Sequence, residues 1–437
     1  MVGLSKSVYS NISSHIATRV AEVNPIILLA FCVFIAAIPF ETITMAADES
    51  NQFTLSRIAG YVFFLTTLLQ PKVCFKQIPL VLRLFIVYII IYAVMMICGA
   101  QQYFPDAFRR FFTLVQMIVL FWVCYNLFKY PLVKLLLLIS FAVSCSVFAI
   151  TQVTGISSVQ YHNTMNRISS FSEDPNTVGA VFAIGLLILL GVILNYLKTS
   201  VVYRLLACAA VIPTVWALIQ TGSRGAMVSV VVGMMTFMLS RGTIKARIRN
   251  IVICLVLIGG LISVIAYNDT IRQRWELTIV GGDLSARQKI FPIAFSMFLE
   301  KPFLGWGPTA NISELGRRQT QDTLDTHNLY LWLLTEDGVL GSLPFFIAMW
   351  ICLQTAWKQR AGPYGMMAFA LLITVLAINM SITWDTRKLT WIVFALCSAP
   401  ISGTVIYQQS RLKHMANALN VNLTNALSHQ RGRNVCE

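Results

Sequence analysis

Long apolar runs alternate with short polar segments from Asn24 almost to the C-terminus. Most of these runs have about the 20 residues that an α-helix needs to cross the hydrocarbon core of a bilayer. The pattern therefore predicts an all-α integral membrane protein with about 12 transmembrane helices. The predicted spans lie near residues 24–40, 58–70, 80–100, 111–127, 131–153, 176–197, 201–220, 225–240, 250–268, 338–356, 363–383 and 389–407.

The composition agrees with this interpretation, because 57% of the 437 residues are hydrophobic and only 12% are charged. An ordinary soluble domain carries about 25% charged residues. The first run follows Lys6 and Arg19 without a small-residue cleavage site, so we expect a retained helix rather than a signal peptide. The ten cysteines lie mostly inside apolar runs and form no CxxC pair, which argues against structural disulfides and zinc.

The net charge of +15 is distributed unevenly among the polar segments. Lysine and arginine occupy every second loop and both ends of the chain, where acids are almost absent, whereas the remaining loops mix both signs. By the positive-inside rule the basic segments face the cytoplasm, which puts both termini there. The basic excess is thus a signal of topology, and nucleic-acid binding is not expected.

One long loop, from about Asn268 to Thr326, is predicted on the outer side and contains equal numbers of basic and acidic residues. Its mixed charge and apolar pieces favour a folded loop, and "ARQKIFPIAFSMFLEKPFLGWG" predicts an amphipathic helix and a Gly-rich turn on the membrane surface. The predicted organisation is a cytoplasmic N-terminal segment (1–23), nine transmembrane helices (24–268), the outer loop (269–326), an interfacial turn with three transmembrane helices (327–407) and a basic cytoplasmic tail (408–437).

Polar residues collect at three predicted helix starts on the outer face. The predicted caps and the residues that follow them are Asp174 before Pro175, Ser223 before Arg224, and Asp325 or Thr326 before His327. A helix N-terminus favours anions, so a cation there needs an anionic partner. Arg224 near membrane level therefore predicts an anion-binding site. Arg167 lies upstream of another such start, and Arg287 opens the amphipathic helix of the outer loop.

Each arginine also has a simpler interpretation. An arginine at the end of a span is often an interfacial anchor that extends to the lipid headgroups. Asp283 and Arg287 are four residues apart and could form an ion pair within one helix. The conjunction of three arginines and a histidine on one face favours the anion site.

His327 is the candidate general base, since neutral imidazole is the usual base near neutral pH. The alternative is a polar group at a helix end, and His162 is the other histidine predicted on the outer side. No Ser-His-Asp or Cys-His pattern stands out, and no carboxylate pair has the spacing of a metal site. We therefore expect chemistry without a metal or another cofactor.

Two adjacent acids, Glu336 and Asp337, follow this histidine in a segment apolar enough to enter a bilayer. If a separate span begins near Gly338, the acids stay at the water boundary. If one helix runs unbroken from His327, they lie about 14 Å deeper and need partners.

Four segments resemble motifs of the bacterial O-antigen ligase family. "HNLYLWLLTEDGVLG" has its His-Asn, nine residues, Gly, two residues, Gly spacing, with Asn328, Gly338 and Gly341 as supporting positions. "TGSRGA" resembles its arginine motif, and "DLSARQKIF…KPFLGWG" resembles its Asp-x-x-Ser-x-Arg helix and Pro-x-x-Gly-x-Gly turn. "RISSFSEDPNTVGA" resembles its Arg-Gly-x-x-x-x-Pro-Asn segment, with serines where glycine is common. The resemblance covers about residues 167–341 by motif and the rest by span number and topology.

The resemblance implies an enzyme, a glycosyltransferase with the multi-span fold of the C class. It implies transfer of a glycan from undecaprenyl diphosphate to lipid A–core oligosaccharide at the periplasmic face of the inner membrane, without a metal and with inversion. His327 would be the base, and Arg224, Arg287 and Arg167 would bind the diphosphate. Ser223, Asn328 and Asp283 would support them.

Alternative functions stay open at this point. An O-antigen polymerase or a protein O-oligosaccharyltransferase of the same superfamily would use the same donor. A polytopic transporter is the alternative from another class, but transporters usually show internal repeats and broken midplane helices. No repeat is visible in this sequence, and a large folded outer loop is more typical of an enzyme.

Overall fold

The computed structural model describes residues 23–41, 54–161, 167–197, 199–239, 243–267, 269–282, 286–321, 323–362 and 364–400, and these residues are mostly helical. The α-helices are α1 Pro25–Ala37, α2 Leu55–Thr67, α3 Pro71–Cys74, α4 Leu80–Cys98, α5 Phe104–Leu127, α6 Pro131–Val153, α7 Pro175–Ile193, α8 Val201–Gln220, α9 Arg224–Met238, α10 Ile244–Tyr267, α11 Asp269–Ile279, α12 Arg287–Glu300, α13 Ala310–Arg318, α14 Leu329–Gln359, α15 Gly365–Ile378 and α16 Lys388–Ser398. Two 3-10 turns, Ile38–Phe40 and Gln101–Tyr103, extend α1 and precede α5. The predicted cytoplasmic tail lies outside the described residues, as does nearly all of the N-terminal segment.

Every predicted span overlaps a helix in the described part of the chain, and the last of them, 389–407, extends beyond the described residues. Seven helical segments there are long and apolar enough to cross a membrane. They are Leu80–Cys98, Gln101–Leu127, Pro131–Val153, Pro175–Ile193, Val201–Gln220, Ile244–Val264 and Leu329–Gln359. Four further apolar helices are shorter, at 10–17 residues. The chain is therefore a mostly helical membrane protein with seven candidate spans, and the number of twelve stays a prediction.

The prediction of an all-α fold needs one correction, a small hairpin between α6 and α7. Its strands, β1 Ser158–Tyr161 and β2 Arg167–Ser170, pair antiparallel with Ser158 opposite Ser170. The serines of β2 are fully buried and act as donors: Ser170 Oγ donates to Gln152 Oε1 at 2.7 Å, and Ser169 Oγ donates to Glu173 O at 2.5 Å. These polar contacts hold the hairpin against the helices. The sequence does not predict it, because its strands show no alternation of apolar and polar residues.

The buried helix α7 positions the site, because its N-terminus lies beside that of α9. Nearly the whole of α7 is buried inside the protein. Asp174 caps it as predicted, accepting a hydrogen bond from Asn176 N at 2.7 Å. A Cβ on Gly179 would lie only 2.9 Å from Cβ of Ser223, so glycine is needed for the two helix starts to approach.

The third predicted helix start is wrong by two to three residues. Asn328, not Asp325 or Thr326, caps α14 by accepting a hydrogen bond from Leu331 N at 3.0 Å. His327 therefore precedes the cap instead of lying in the first turn, and its φ of 50° is in the left-handed region. Thr326 does not cap the helix, because its Oγ1 donates to Asn328 O at 3.0 Å. The side-chain amide oxygen of Asn328 accepts the capping hydrogen bond instead.

Helix α14 breaks at Gly338, where φ is 65° and ψ is −170°. The break is held by the turn that follows α12: Val339 N donates to Pro302 O at 2.8 Å, and Leu340 N donates to Phe303 O at 3.0 Å. A Cβ on Gly338 would lie 2.4 Å from the carbonyl carbon of Phe303. The glycine thus permits both the positive φ and the close contact between two backbones. Two helical segments, 329–337 and 339–359, therefore meet at Gly338, where the sequence predicts the start of a separate span.

Candidate functional site

Arg167 links the start of α7 to the turn before α9. It is the first residue of β2, and its side chain is buried. Its Nε donates to Thr221 O at 2.7 Å, and its Nη2 donates to Asn176 Oδ1 at 2.9 Å. The hairpin missed in the sequence is what delivers this arginine to the two helix starts.

Arg224 is the first residue of α9, capped by Ser223 as predicted, with Ala226 N donating to Ser223 Oγ at 3.4 Å. Its Nη1 donates to Arg274 O at 2.9 Å and also to Thr278 Oγ1. Arg224 therefore holds the short helix α11 against the N-terminus of α9.

Arg287 is the first residue of α12, as predicted, and reaches the turn between α15 and α16. Its Nη2 donates to Ser381 O at 2.8 Å. Ser381 also packs against the start of α9, since a Cβ on Gly225 would lie 2.3 Å from Ser381 Oγ. Arg287 and the start of α9 therefore both contact Ser381. Asp283, the predicted partner of Arg287, lies outside the described residues.

A further arginine, Arg274, joins this group and was not singled out in the sequence. A Cβ on Gly222 would lie 3.2 Å from Nη1 of Arg274 and 3.5 Å from Cγ of Arg167, so both side chains cover the same glycine. Burial, together with the charges of Arg274, Arg287 and Arg224, lowers the pKa of Arg167 to about 10, while the charge of Asp174 opposes this shift. The site is thus a concentration of positive charge.

The pKa of Arg287 shifts in the same direction. Burial lowers it first and the charge of Arg224 second, while Asp174 and Asp325 oppose the shift. An arginine held among other arginines gains from an anion that neutralises the group. The electrostatics therefore favour a multivalent anion beside these residues.

The histidine segment is held by residues 379–383, the turn between α15 and α16. The hydrogen bonds that join them run from Leu329 N to Asn379 O (2.9 Å), from Asn328 Nδ2 to Met380 O (3.2 Å) and from Thr383 Oγ1 to Asp325 Oδ1 (2.8 Å). His327 N donates to the same Asp325 oxygen at 2.6 Å. The imidazole of His327 is half-buried and makes no hydrogen bond within the described residues, so it is open to an incoming hydroxyl.

The turn 379–383 is therefore the common support of the predicted site. It holds the segment of His327 on one side and Arg287 on the other, and it packs on the start of α9. In the sequence these residues form the end of the predicted eleventh span, and no role was predicted for them. Their residue types are ordinary for a helix end, so only the fold reveals their position.

Glu336 and Asp337 are buried, with 0% and 1% of their surface exposed. Glu336 Oε1 accepts from Thr309 N at 2.9 Å, and its Oε2 accepts from Trp332 Nε1 at 2.5 Å. Tyr88 donates from its hydroxyl to Asp337 Oδ2 at 3.3 Å. Both acids are therefore enclosed within the protein, and each has a hydrogen-bond partner.

The partner of opposite charge is Arg110 of α5, which sequence analysis also missed. Its Nε lies 3.6 Å from Glu336 Oε2, its Nη2 pairs with Asp385, and its guanidinium stacks over Trp332 at 4.3 Å. Burial raises the pKa of the Asp385 carboxyl above its usual range, and the charge of Arg110 opposes that effect. Arg110 thus joins α5, the first half of α14 and the segment after α15.

Replacing Arg110 by methionine is expected to destabilise the protein by about 3–5 kcal/mol, because two carboxylates would remain buried without a cation. The melting temperature in detergent should fall strongly, while Arg109→Met, at an exposed neighbouring position, should leave it unchanged. Adding Glu336→Gln and Asp385→Asn should restore part of the loss. A wild-type melting temperature for Arg110→Met would show that the cluster contributes little stability.

Comparison with known proteins identifies the same region of the chain. Residues 208–346 match the sequence model of a family described as O-antigen ligase. A curated O-antigen ligase of Pseudomonas aeruginosa is 29% identical over 167 residues, which are 38% of this chain and 38% of that protein. Over these residues the chain is similar to O-antigen ligases, and the match spans well under half the length of the curated relative. The candidate spans support a multi-pass membrane protein.

The O-antigen ligase match includes most of the candidate residues but not Arg167. It begins within α8 and ends within the second half of α14, so it includes Arg224, Arg287, His327, Gly338 and Gly341. Gly341 lies against Asp337, because a Cβ there would be 2.7 Å from Cβ of that acid. Arg167 lies outside the match and depends on its position in the fold.

Proposed function

We propose that this protein transfers a glycan from undecaprenyl diphosphate to a sugar hydroxyl of lipid A–core oligosaccharide, at the periplasmic face of the bacterial inner membrane. The observation that supports this best is the convergence of Arg167, Arg224 and Arg287 near the segment that carries His327. This arrangement combines a site for an anionic leaving group with a group that can accept a proton.

The arginines would bind the diphosphate of the donor. A guanidinium presents a planar fork of donors that matches phosphate oxygens. When the bond between the sugar and the diphosphate breaks, negative charge develops on the leaving group. Fixed cations at helix starts would stabilise that charge without rearranging during the reaction.

His327 would accept the proton of the attacking hydroxyl. Direct attack with one base inverts the anomeric centre, whereas retention by double displacement usually requires a carboxylate nucleophile. The proposal is therefore an inverting transfer, in which Asn328 fixes the histidine segment by capping α14 and binding the turn 379–383.

The proposed orientation follows from the loop charges, with both termini in the cytoplasm and the loop from Asn268 to Thr326 in the periplasm. Reporter proteins fused at Gly242 and at Ser313 should then report opposite sides of the membrane. Two cytoplasmic signals would contradict the predicted number of spans between these positions.

The reaction is proposed to be independent of metal ions. Among the described residues, no group of three or more His, Cys, Asp and Glu side chains could hold a metal ion. Purified protein is therefore expected to retain full transfer activity in excess EDTA. Activity that disappears with EDTA and returns with magnesium or manganese would contradict stabilisation of the leaving group by arginine alone.

Deletion of the protein from its host tests the proposed function directly. Polymeric O-antigen attached to core lipid should disappear, while polymer linked to undecaprenyl diphosphate accumulates. Loss of the polymer itself would indicate an O-antigen polymerase. Unchanged lipopolysaccharide with loss of a glycan on proteins would indicate a protein O-oligosaccharyltransferase.

A further inference from the structure

We infer that Asp325 is a positioning residue for His327 and that it acts through the main chain of the histidine, not through its ring. The inference deepens the proposed function and rests on it, because His327 is the proposed base. Two hydrogen bonds to one carboxylate oxygen carry the inference. Asp325 Oδ1 accepts from His327 N at 2.6 Å and from Thr383 Oγ1 at 2.8 Å.

The backbone of His327 needs such a support, since its φ of 50° lies in the left-handed region. A residue with a side chain adopts this conformation uncommonly and keeps it where its surroundings hold it. Asp325 binds the amide hydrogen of His327, and the next residue, Asn328, caps α14 and donates to Met380 O. The chain is thus held on both sides of His327, which limits the directions that the Cα–Cβ bond of the histidine can take.

The carboxylate of Asp325 is itself held by a distant part of the chain. Thr383 lies 58 positions further on, in the turn 379–383, and its hydroxyl donates to the same oxygen that His327 N binds. An oxygen that accepts from two donors restricts the rotation of its side chain more than one donor would. Asp325 therefore links the backbone of His327 to the turn between α15 and α16.

A carboxylate beside a histidine can also act by its charge. In a Ser-His-Asp triad the acid binds the ring N–H and stabilises the imidazolium that forms. Here the shared oxygen binds the backbone amide, and the ring of His327 makes no hydrogen bond within the described residues. The geometry therefore favours a role as hydrogen-bond acceptor, which the side-chain amide oxygen of an asparagine would also fill.

The test is a double-mutant cycle between positions 325 and 327. It compares wild-type protein with Asp325→Ala, Asp325→Asn, His327→Ala and the double variant Asp325→Ala/His327→Ala in detergent. The measurements are the initial rate of transfer, the KM for the lipid diphosphate donor, the pH–rate profile and the melting temperature. Glu276→Ala is the control, an acid of the segment 269–326 with 61% of its side chain exposed, and it should behave as wild type.

Asp325→Ala is expected to lower the rate by up to about 10²-fold with an unchanged KM for the donor, the effect of misplacing a reacting group by about 1 Å. In the His327→Ala background the same substitution should cost nothing further, because residues that act as a unit have non-additive effects. Asp325→Asn should keep most of the rate and the pH–rate profile of the wild type, since it can accept the same two bonds.

Thr383→Val is the second variant, and it replaces Asp325→Ala in the cycle if that protein does not fold. It removes the hydroxyl that holds the carboxylate while keeping a side chain of similar shape. Its rate should fall less than that of Asp325→Ala, because the bond from His327 N remains. This loss should also disappear in the His327→Ala background.

Three results would overturn the inference. A wild-type rate for Asp325→Ala, or an equal loss with and without His327, would mean that Asp325 does not act through the histidine. A loss in Asp325→Asn as large as in Asp325→Ala, or a displaced pH–rate profile, would mean that the charge of the carboxylate acts and not its hydrogen bonds. A wild-type rate for His327→Ala would contradict the proposed base itself, and the inference about Asp325 would fail with it.

Discussion

Arg224→Ala is expected to abolish glycan transfer, with a loss of at least about 10²–10³-fold in rate, the usual effect of removing a fixed donor that stabilises developing charge. Arg224 starts α9 and fastens α11 through Arg274 O and Thr278 Oγ1. Its removal would therefore take away a cation at a helix start and release the helix that carries Arg274. Arg287→Ala, which loses one contact to Ser381 O, should reduce transfer strongly.

The lysine variant separates charge from geometry at this position. Arg224→Lys keeps the positive charge but lacks the planar fork that matches phosphate oxygens, so its transfer should also be impaired. The control is Arg317→Ala, an arginine of the outer loop with 72% of its side chain exposed, which should transfer normally. Full activity in both variants would mean that Arg224 is only an interfacial anchor and does not bind the diphosphate.

The span positions could be predicted because apolar runs of sufficient length have few alternatives in a membrane protein. The caps Asp174 and Ser223 could be predicted because capping depends on residues adjacent in the sequence. The start of α12 at Arg287 follows from the same local pattern. Local rules thus located the helix starts that carry the candidate arginines.

The remaining features depend on contacts between distant segments, which sequence patterns of this kind do not report. The pairing of Arg110 with Asp385 spans 275 positions. The hairpin that contains Arg167 is held by buried serines, and the same residue types also suit an ordinary loop. Arg274 had no distinguishing neighbour in the sequence, because its significance comes from facing Arg167 across Gly222.

The cap of α14 shows where local rules fail even at a helix start. Asp325, Thr326 and Asn328 are all good capping residues. The choice between them is made by the turn 379–383, which engages Asp325 through Thr383 and Asn328 through Met380. His327 therefore lies before the helix, with a positive φ.

His327→Ala is expected to lose most transfer while the protein still inserts and still binds the lipid diphosphate donor. A positioned general base typically contributes about 10²–10⁴-fold in rate. The imidazole makes no hydrogen bond within the described residues, so its removal should leave the hydrogen bonds of Asp325 and Asn328 intact.

The measurement is the initial rate of transfer in detergent or liposomes, with donor binding determined in parallel. His162→Ala is the control, a histidine predicted on the same side of the membrane but outside the family's motifs, and its effect should be much milder. A wild-type rate for His327→Ala would mean that another group takes the proton or that none is needed. Loss of donor binding instead of loss of rate would make His327 a phosphate ligand, because a base acts on the acceptor hydroxyl and should leave the donor's affinity unchanged.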